Sequence, residues 1–335
     1  MDKVRFGILG TAKIAREKVI PALKEARHVE VAAIASRTRE SAERAAKDLG
    51  IPKVHASYEK LLADSRLDAV YIPLPNHLHV GWTLKAMASG KHVLCEKPMG
   101  LTDDEINRLI DATSRYPDVK VMEAFMYRHH PQWEETKRLV DAGEIGAITT
   151  IHTEFSYFNA DPGNIRNIPA AGGGALMDIG CYAVSLSRFL LDAEPRRALG
   201  LLVADPAFGT DRLASGLLDF RGRTSTFSCS TQGAKHQHVS ILGTKGRIDI
   251  PLPFNPPPDH PAQILLQRDH LDDPAHALRT IAFPLCDQYT LMAENFARAV
   301  LDDAPAPVGL TDAWANMHVL EALKESAATG QWAAC

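Results

Sequence analysis

Through its first third the chain alternates short β-branched apolar runs with amphipathic stretches of helical period: 4–9 then 14–26, 29–35 then 40–49, 69–72 then 78–88, 92–94 then 103–114, and finally 119–122. Runs apolar on both faces and joined by helices specify a parallel sheet covered on each side, and right-handed crossovers leave a doubly wound α/β sheet as the simplest topology. Such a sheet takes its ligand at the carboxyl ends of its strands. After about residue 147 the rhythm changes to successive strands at 148–158, 199–204, 214–220, 224–230, 238–242 and 247–250, with Gly-rich turns at 221–223 and 243–246. These predict an open, mostly antiparallel sheet interrupted by a helix over 175–191 and followed by helices over 289–301 and 312–329. The second unit is therefore expected to be α+β, and the division falls between residues 1–125 and 126–335, as a length of 335 residues also suggests. Residues 251–261 hold six prolines, which excludes a central strand and predicts an extended arm over the surface.

The first strand runs into Gly10-Thr11-Ala12-Lys13-Ile14-Ala15, with Gly10, Ala12 and Ala15 at the three small-residue positions of a dinucleotide fingerprint. Small residues let backbone amides and the helix N-terminus approach a diphosphate; a plain tight strand-to-helix turn satisfies the same residues. The second strand ends in Ala35-Ser36-Arg37-Thr38-Arg39, without the acid that would take a ribose 2′-hydroxyl. A guanidinium there suits a 2′-phosphate, which favours NADP(H) over NAD(H), while a solvated charge pair opening a helix is the competing reading. Leu74, Asn76 and His79 follow the strand at 69–72, and Glu96-Lys97-Pro98 ends the strand at 92–94, held before a capping box at Thr102-Asp103-Asp104-Glu105. Asp178 and Tyr182 stand four residues apart on a predicted helix and so share a face. An ammonium, a carboxylate and a phenol suit proton transfer in alcohol or carbonyl redox chemistry, whereas by spacing alone Asp178 would cap or pair locally and Tyr182 would pack on the sheet.

A formal charge of -4 offers no broad field for nucleic acid or an anionic membrane, so a small-molecule partner is expected. Five scattered cysteines without a CxxC pair, no leader-like opening and no apolar run approaching ~20 residues point to a soluble cytoplasmic chain. The histidine pairs 77/79, 129/130 and 236/238 lack a carboxylate or cysteine at ligand spacing, and no metal is expected.

Taken together, Gly7 to Ala12, Pro75-Asn76-His77-Leu78-His79, the run from Ala88 to Pro98, and Gly172-Gly173-Gly174-Ala175-Leu176-Met177-Asp178-Ile179-Gly180-Cys181-Tyr182 resemble the glucose-fructose oxidoreductase / inositol dehydrogenase / rhizopine catabolism (Gfo/Idh/MocA) family over nearly the whole chain. The resemblance implies an N-terminal Rossmann domain and a C-terminal α/β domain whose open sheet mediates a homodimer or homotetramer. It implies Lys97, Tyr182 and Asp178 as catalytic residues. It places Gly10, Thr11, Ala12, Ile14, Ser36 and Arg37, with Leu74, Asn76, His79, Glu96 and Lys97, on the cofactor, and Tyr127, Arg128, Asn164 and Arg166 with Asp178 and Tyr182 at the substrate. Tyrosine at 182, where inositol-type members carry histidine, points to the aldose and dihydrodiol dehydrogenase branch. The expected activity is NADP-dependent oxidation of an aldose at C1. The alternatives are reduction of a keto- or anhydro-sugar, dihydrodiol oxidation and, in a different class, a non-catalytic NADP(H) sensor.

Overall fold

The computed structural model describes residues 2–268 and 278–335. Its first unit comprises Met1–His129 with Asp287–Trp314, and its second His130–Cys286 with Ala315–Cys335.

In the first unit β1 (Val4–Leu9), β2 (Val29–Ala35), β3 (Lys53–His55), β4 (Ala69–Ile72), β5 (His92–Cys95) and β6 (Val121–Glu123) form one parallel sheet in the order β3-β2-β1-β4-β5-β6. This is the doubly wound order, with its switch point between β1 and β4. Phe6, Ile8, Ile34, Val70, Tyr71, Val93 and Leu94 have no exposed surface, which is why these strands read as continuous apolar runs rather than alternating ones. The intervening helices start where side chains satisfy their first amides. Thr38 Oγ1 accepts from Ser41 N at 3.3 Å, and Thr102 Oγ1 accepts from Glu105 N at 3.2 Å, as the capping box predicts. A late helix, Gln288–Leu301, belongs to this unit: its buried Phe296 lies 5.8 Å from the Phe6 ring. The expected division has one chain crossing, at 125/126; the observed units have three, because an amphipathic helix covers whichever sheet it matches and its sequence does not say which.

In the second unit β7 (Ile148–Phe158), β8 (Arg197–Ala204), β9 (Asp211–Asp219), β10 (Thr224–Ser230), β11 (Gln232–Gly243), β12 (Gly246–Ile250), β13 (Gln263–Arg268), β14 (Leu278–Ala282) and β15 (Ala333–Ala334) form a second sheet in the order β14-β13-β12-β11-β7-β10-β9-β8-β15. Only β7 and β10 pair in parallel; the other neighbours are antiparallel, so the mostly antiparallel sheet expected is the one found. Along β7, Ile151, Thr153 and Phe155 are buried while His152 and Glu154 are exposed, the period-2 signature of a sheet covered on one face. The sequence reading did not name β13 and β14, which follow the proline run.

Two expectations change here. Pro169–Leu191 is long and apolar enough to pass for a membrane span, contrary to the sequence reading, but 94% of its window is buried inside the unit, so it is core. The proline arm is not simply draped over the surface. Phe254 is fully buried, stacked 5.1 Å from Phe155 and 6.4 Å from Trp133. The flanking backbone is tied down as well: Trp133 Nε1 donates to the Pro253 carbonyl at 2.7 Å, and Gln237 Oε1 accepts from the amides of Phe254 and Asn255 at 3.2 and 3.0 Å.

Candidate active site

Each unit carries its own group of candidate residues. In the first, β1 turns at Gly10, whose φ of +122° favours glycine, and its amide donates to the Ala35 carbonyl at 2.8 Å. A side chain there would press on Leu74, 3.2 Å away. Thr11, Ala12 and Ile14 follow, partly exposed, at the start of a helix whose first turns widen into a π segment, Ala15–Val19. Thr11 Oγ1 and Ser36 Oγ are 3.3 Å apart, which links the turn to the end of β2, where Arg37 is exposed. An anion-accepting amide turn, a hydroxyl pair and an exposed guanidinium fit a phosphorylated dinucleotide.

Tyr58, which the sequence reading missed, belongs to the same corner. Its hydroxyl lies 3.9 Å from where a Gly10 Cβ would sit, and burial raises its pKa against the opposing charge and backbone amide of Arg37. Its ring stands edge-on to Trp82 at 4.9 Å, a pairing that spacing along the chain does not reveal.

The turn bearing Lys97 is fixed at three points. Tyr71 donates to Glu96 Oε1 at 2.6 Å, and the Met99 amide donates to Glu123 Oε1 at 2.6 Å. The wholly buried His79 places Nδ1 2.8 Å from the Pro98 carbonyl and Nε2 2.7 Å from the Leu74 carbonyl. Burial lowers its pKa against the opposing pull of the two carbonyls, and the ring lies between the two strand-end loops. The Lys97–Pro98 bond is cis, and both Glu96 and Lys97 are partly exposed, as is Asn76 in the turn Asn76–Leu78. Tyr127 is wholly buried, edge-on to Phe125 at 5.9 Å, and the half-buried Arg128 lies 3.9 Å from Asp312; both belong to the first unit.

In the second unit the stretch from Gly172 is shaped by close approaches. A side chain at Gly173 would strike the backbone of Arg166 and Ile165, and Gly174 N donates to the Arg166 carbonyl at 2.9 Å. The helix that follows is capped from β9: Asp211 Oδ2 accepts from Leu176 N at 2.7 Å, and burial pushes the Asp211 pKa up to about 6. Leu176–Gly180 is a π turn rather than the α-helix expected, so Asp178 is rotated relative to Tyr182 from the position a 3.6-residue period would give. A Cβ at Gly180 would lie 2.9 Å from Leu176 and 3.2 Å from Cys229, which makes glycine the residue that fits under this turn.

Asp178 is buried, and its Oδ2 takes two donors: Tyr157 Oη at 2.5 Å and Arg166 Nε at 2.8 Å. The Arg166 guanidinium is held above its usual pKa by Asp178, and Tyr157 is raised by burial and then by the Asp178 charge. Arg166, expected among substrate contacts, thus pairs with Asp178, while Asn164 Oδ1 accepts from Arg166 N at 3.1 Å and organises the loop that presents it. Tyr182, the first turn of Cys181–Leu191, has its ring 5.7 Å from Phe155 and 5.2 Å from Phe254. Tyr157 was missed, although it continues the inward period of Ile151, Thr153 and Phe155 on β7, a polar tip where that period calls for an apolar one.

Residues 4–125 match a family described as oxidoreductase, NAD-binding Rossmann fold, and residues 133–249 match the Gfo/Idh/MocA C-terminal domain. The chain is 46% identical to an uncharacterized oxidoreductase of Rhizobium meliloti over 99% of both chains. It is 40% identical to a D-xylose 1-dehydrogenase (NADP(+)) of Haloferax volcanii, covering 97% of this chain and 98% of the other. Among solved structures, a 3-ketoreductase from Actinomadura kijaniata in complex with NADP and TDP-benzene superposes with a TM-score of 0.89 at 30% identity, over 97% of this chain and 98% of that one.

Proposed function

Because the chain belongs to the Gfo/Idh/MocA family of nicotinamide-dependent oxidoreductases, we propose that it is an NADP(H)-dependent dehydrogenase of a cyclic polyhydroxylated substrate, an aldose oxidised at its anomeric carbon to the lactone. The observation that carries this reading is the helix from Gly174, which sets a carboxylate paired with a guanidinium, Asp178, one turn before a phenol ringed by aromatic walls, Tyr182. The similarity to a D-xylose 1-dehydrogenase supports the substrate class, and the Ser36-Arg37 end of β2 supports the 2′-phosphate.

Gly10, Thr11, Ala12 and Ile14 would hold the diphosphate, Ser36 and Arg37 the 2′-phosphate, and Leu74, Asn76, Glu96 and Lys97 the nicotinamide end, with His79 bracing their loops. The bound nicotinamide supplies a hydride acceptor for C1. Asp178 orients the sugar hydroxyls, with Asn164 and Arg166 shaping its surroundings. Tyr182 takes up the O1 proton as the carbonyl forms, a role of the kind worth about 10²–10⁴ in rate, and the Lys97 ammonium is assigned to favour the ionised phenol. Tyr127 and Arg128 are assigned to the substrate as well. We further propose a cytoplasmic enzyme, in keeping with five cysteines that are all thiols, and a homodimer or homotetramer through the second sheet, whose outer face exposes His152, Glu154 and Ser228.

The test is turnover of NADP+ and NAD+ with D-xylose, D-glucose, inositols and trans-dihydrodiols. Lys97→Ala and Tyr182→Phe should each lower kcat at least ~100-fold, with NADPH binding left intact by Tyr182→Phe. Undiminished turnover in both variants refutes the assignment, and NADPH binding with no turnover of any substrate marks a sensor. Reduction of a keto-sugar by NADPH is the second reading, favoured by the superposition on the 3-ketoreductase.

A further inference from the structure

We propose that Tyr157 is a positioning residue for this reaction: its phenol and the Arg166 guanidinium grip one oxygen of Asp178 and fix the carboxylate's orientation toward the substrate. The inference rests on the reading of Asp178 as the residue that orients the sugar. Tyr157 comes from the end of β7, Arg166 from the turn Ile165–Asn167 and Asp178 from the π turn, so three separate elements converge on a single atom, Oδ2, at 2.5 and 2.8 Å. Two donors on one oxygen define the plane of a carboxylate, which accepts at about four lone-pair sites.

The grip is itself anchored. Asn164 and the glycines at 173 and 174 fix the Arg166 loop, and the Asp211 cap fixes the start of the helix. Burial and the facing carboxylate both keep the Tyr157 proton in place, so the phenol donates throughout the working pH range. Among the described residues, further ionisable neighbours include the thiol of Cys229 on β10 and, on the helix itself, Cys181 and Tyr182.

Wild type, Tyr157→Phe, Asp178→Asn and the double variant are compared in thermal melts and in turnover of D-xylose, plain and C1-deuterated, with NADP+. A residue acting through Asp178 gives non-additive losses. Tyr157→Phe should cut kcat/KM about tenfold to a hundredfold and raise the isotope effect on kcat, as for a misplaced reactant. The double variant should be no slower than Asp178→Asn alone, and its Tm loss should fall short of the sum of the single losses. Wild-type kinetics in Tyr157→Phe, losses that multiply in full, or additive Tm losses overturn the proposal. Wild-type turnover by Asp178→Asn instead overturns the functional reading. If no variant turns over the sugar, that reading fails too, and the melts alone still decide whether the grip exists.

Discussion

Replacing Phe254 with alanine tests whether the proline arm is a structural part of the second unit. The ring is fully buried and lies 5.1 Å from Phe155, 5.2 Å from Tyr182 and 6.4 Å from Trp133. Truncating a buried phenylalanine removes its transfer free energy and leaves a cavity, about 3–5 kcal/mol together. The surrounding rings are held by other elements and cannot collapse far, which favours the middle of that range, about 4 kcal/mol. At about 2–4 °C per kcal/mol for a unit of this size, the Tm should fall by about 8–16 °C. Phe254→Leu, which keeps most of the volume, should lose less than about 1.5 kcal/mol. Leu252→Ala, two residues away at a side chain 44% exposed, should change stability by no more than about 0.5 kcal/mol. Urea denaturation of the three variants, with a common m-value, gives the comparison. If Phe254→Ala lies within about 1 kcal/mol of wild type, the arm contributes nothing to the core and the packing argument is wrong.

Arg37→Ala removes the group assigned to the 2′-phosphate and should raise KM for NADP+ about 10–100-fold, the worth of a charge-assisted bond, with KM for NAD+ unchanged; equal losses for both cofactors would contradict it. Asp211, whose pKa rises from 3.8 to about 6, holds its proton more tightly folded than unfolded, so stability should fall as pH rises from about 4 to about 6 and stay lower above that. Asp211→Asn keeps an acceptor for Leu176 N–H and should flatten that slope in thermal melts, gaining about 1–3 kcal/mol at pH 7; an unaltered slope rules the effect out. His130 is lowered from 6.5 to about 4 by burial, so its contribution is intact above pH 6.5 and lost as pH falls toward 4. His130→Gln should remove up to about 3 kcal/mol of acid sensitivity in that window, and melts of equal acid slope would show that the imidazole is not responsible.

What sequence reasoning recovered here was local. The parallel strands were legible because both their faces are buried, the helix starts because Thr38 and Thr102 sit where amides need acceptors, and the Gly10 turn because a strand meets a helix there. The partners that complete each group were not, since they are remote in the chain: Tyr157 reaches Asp178 across 21 residues, and Gln132 and Trp133 hold the arm from about 120 residues away. Prolines masked the one aromatic that matters in 251–261, and no propensity distinguishes an α turn from the π turn at Leu176–Gly180, where the space beside Gly180 is closed by Leu176 and the distant Cys229.

The three chain crossings between the units bear on how this protein can be cut and recombined. A fragment ending at residue 129 would leave Phe6 without Phe296, and one beginning at residue 130 would carry Asp287–Trp314 as an orphan segment. The two units therefore cannot be exchanged by a single splice. A working chimera must graft residues 287–314 together with the N-terminal segment they close, and a truncation scan should find no soluble half-protein at either end.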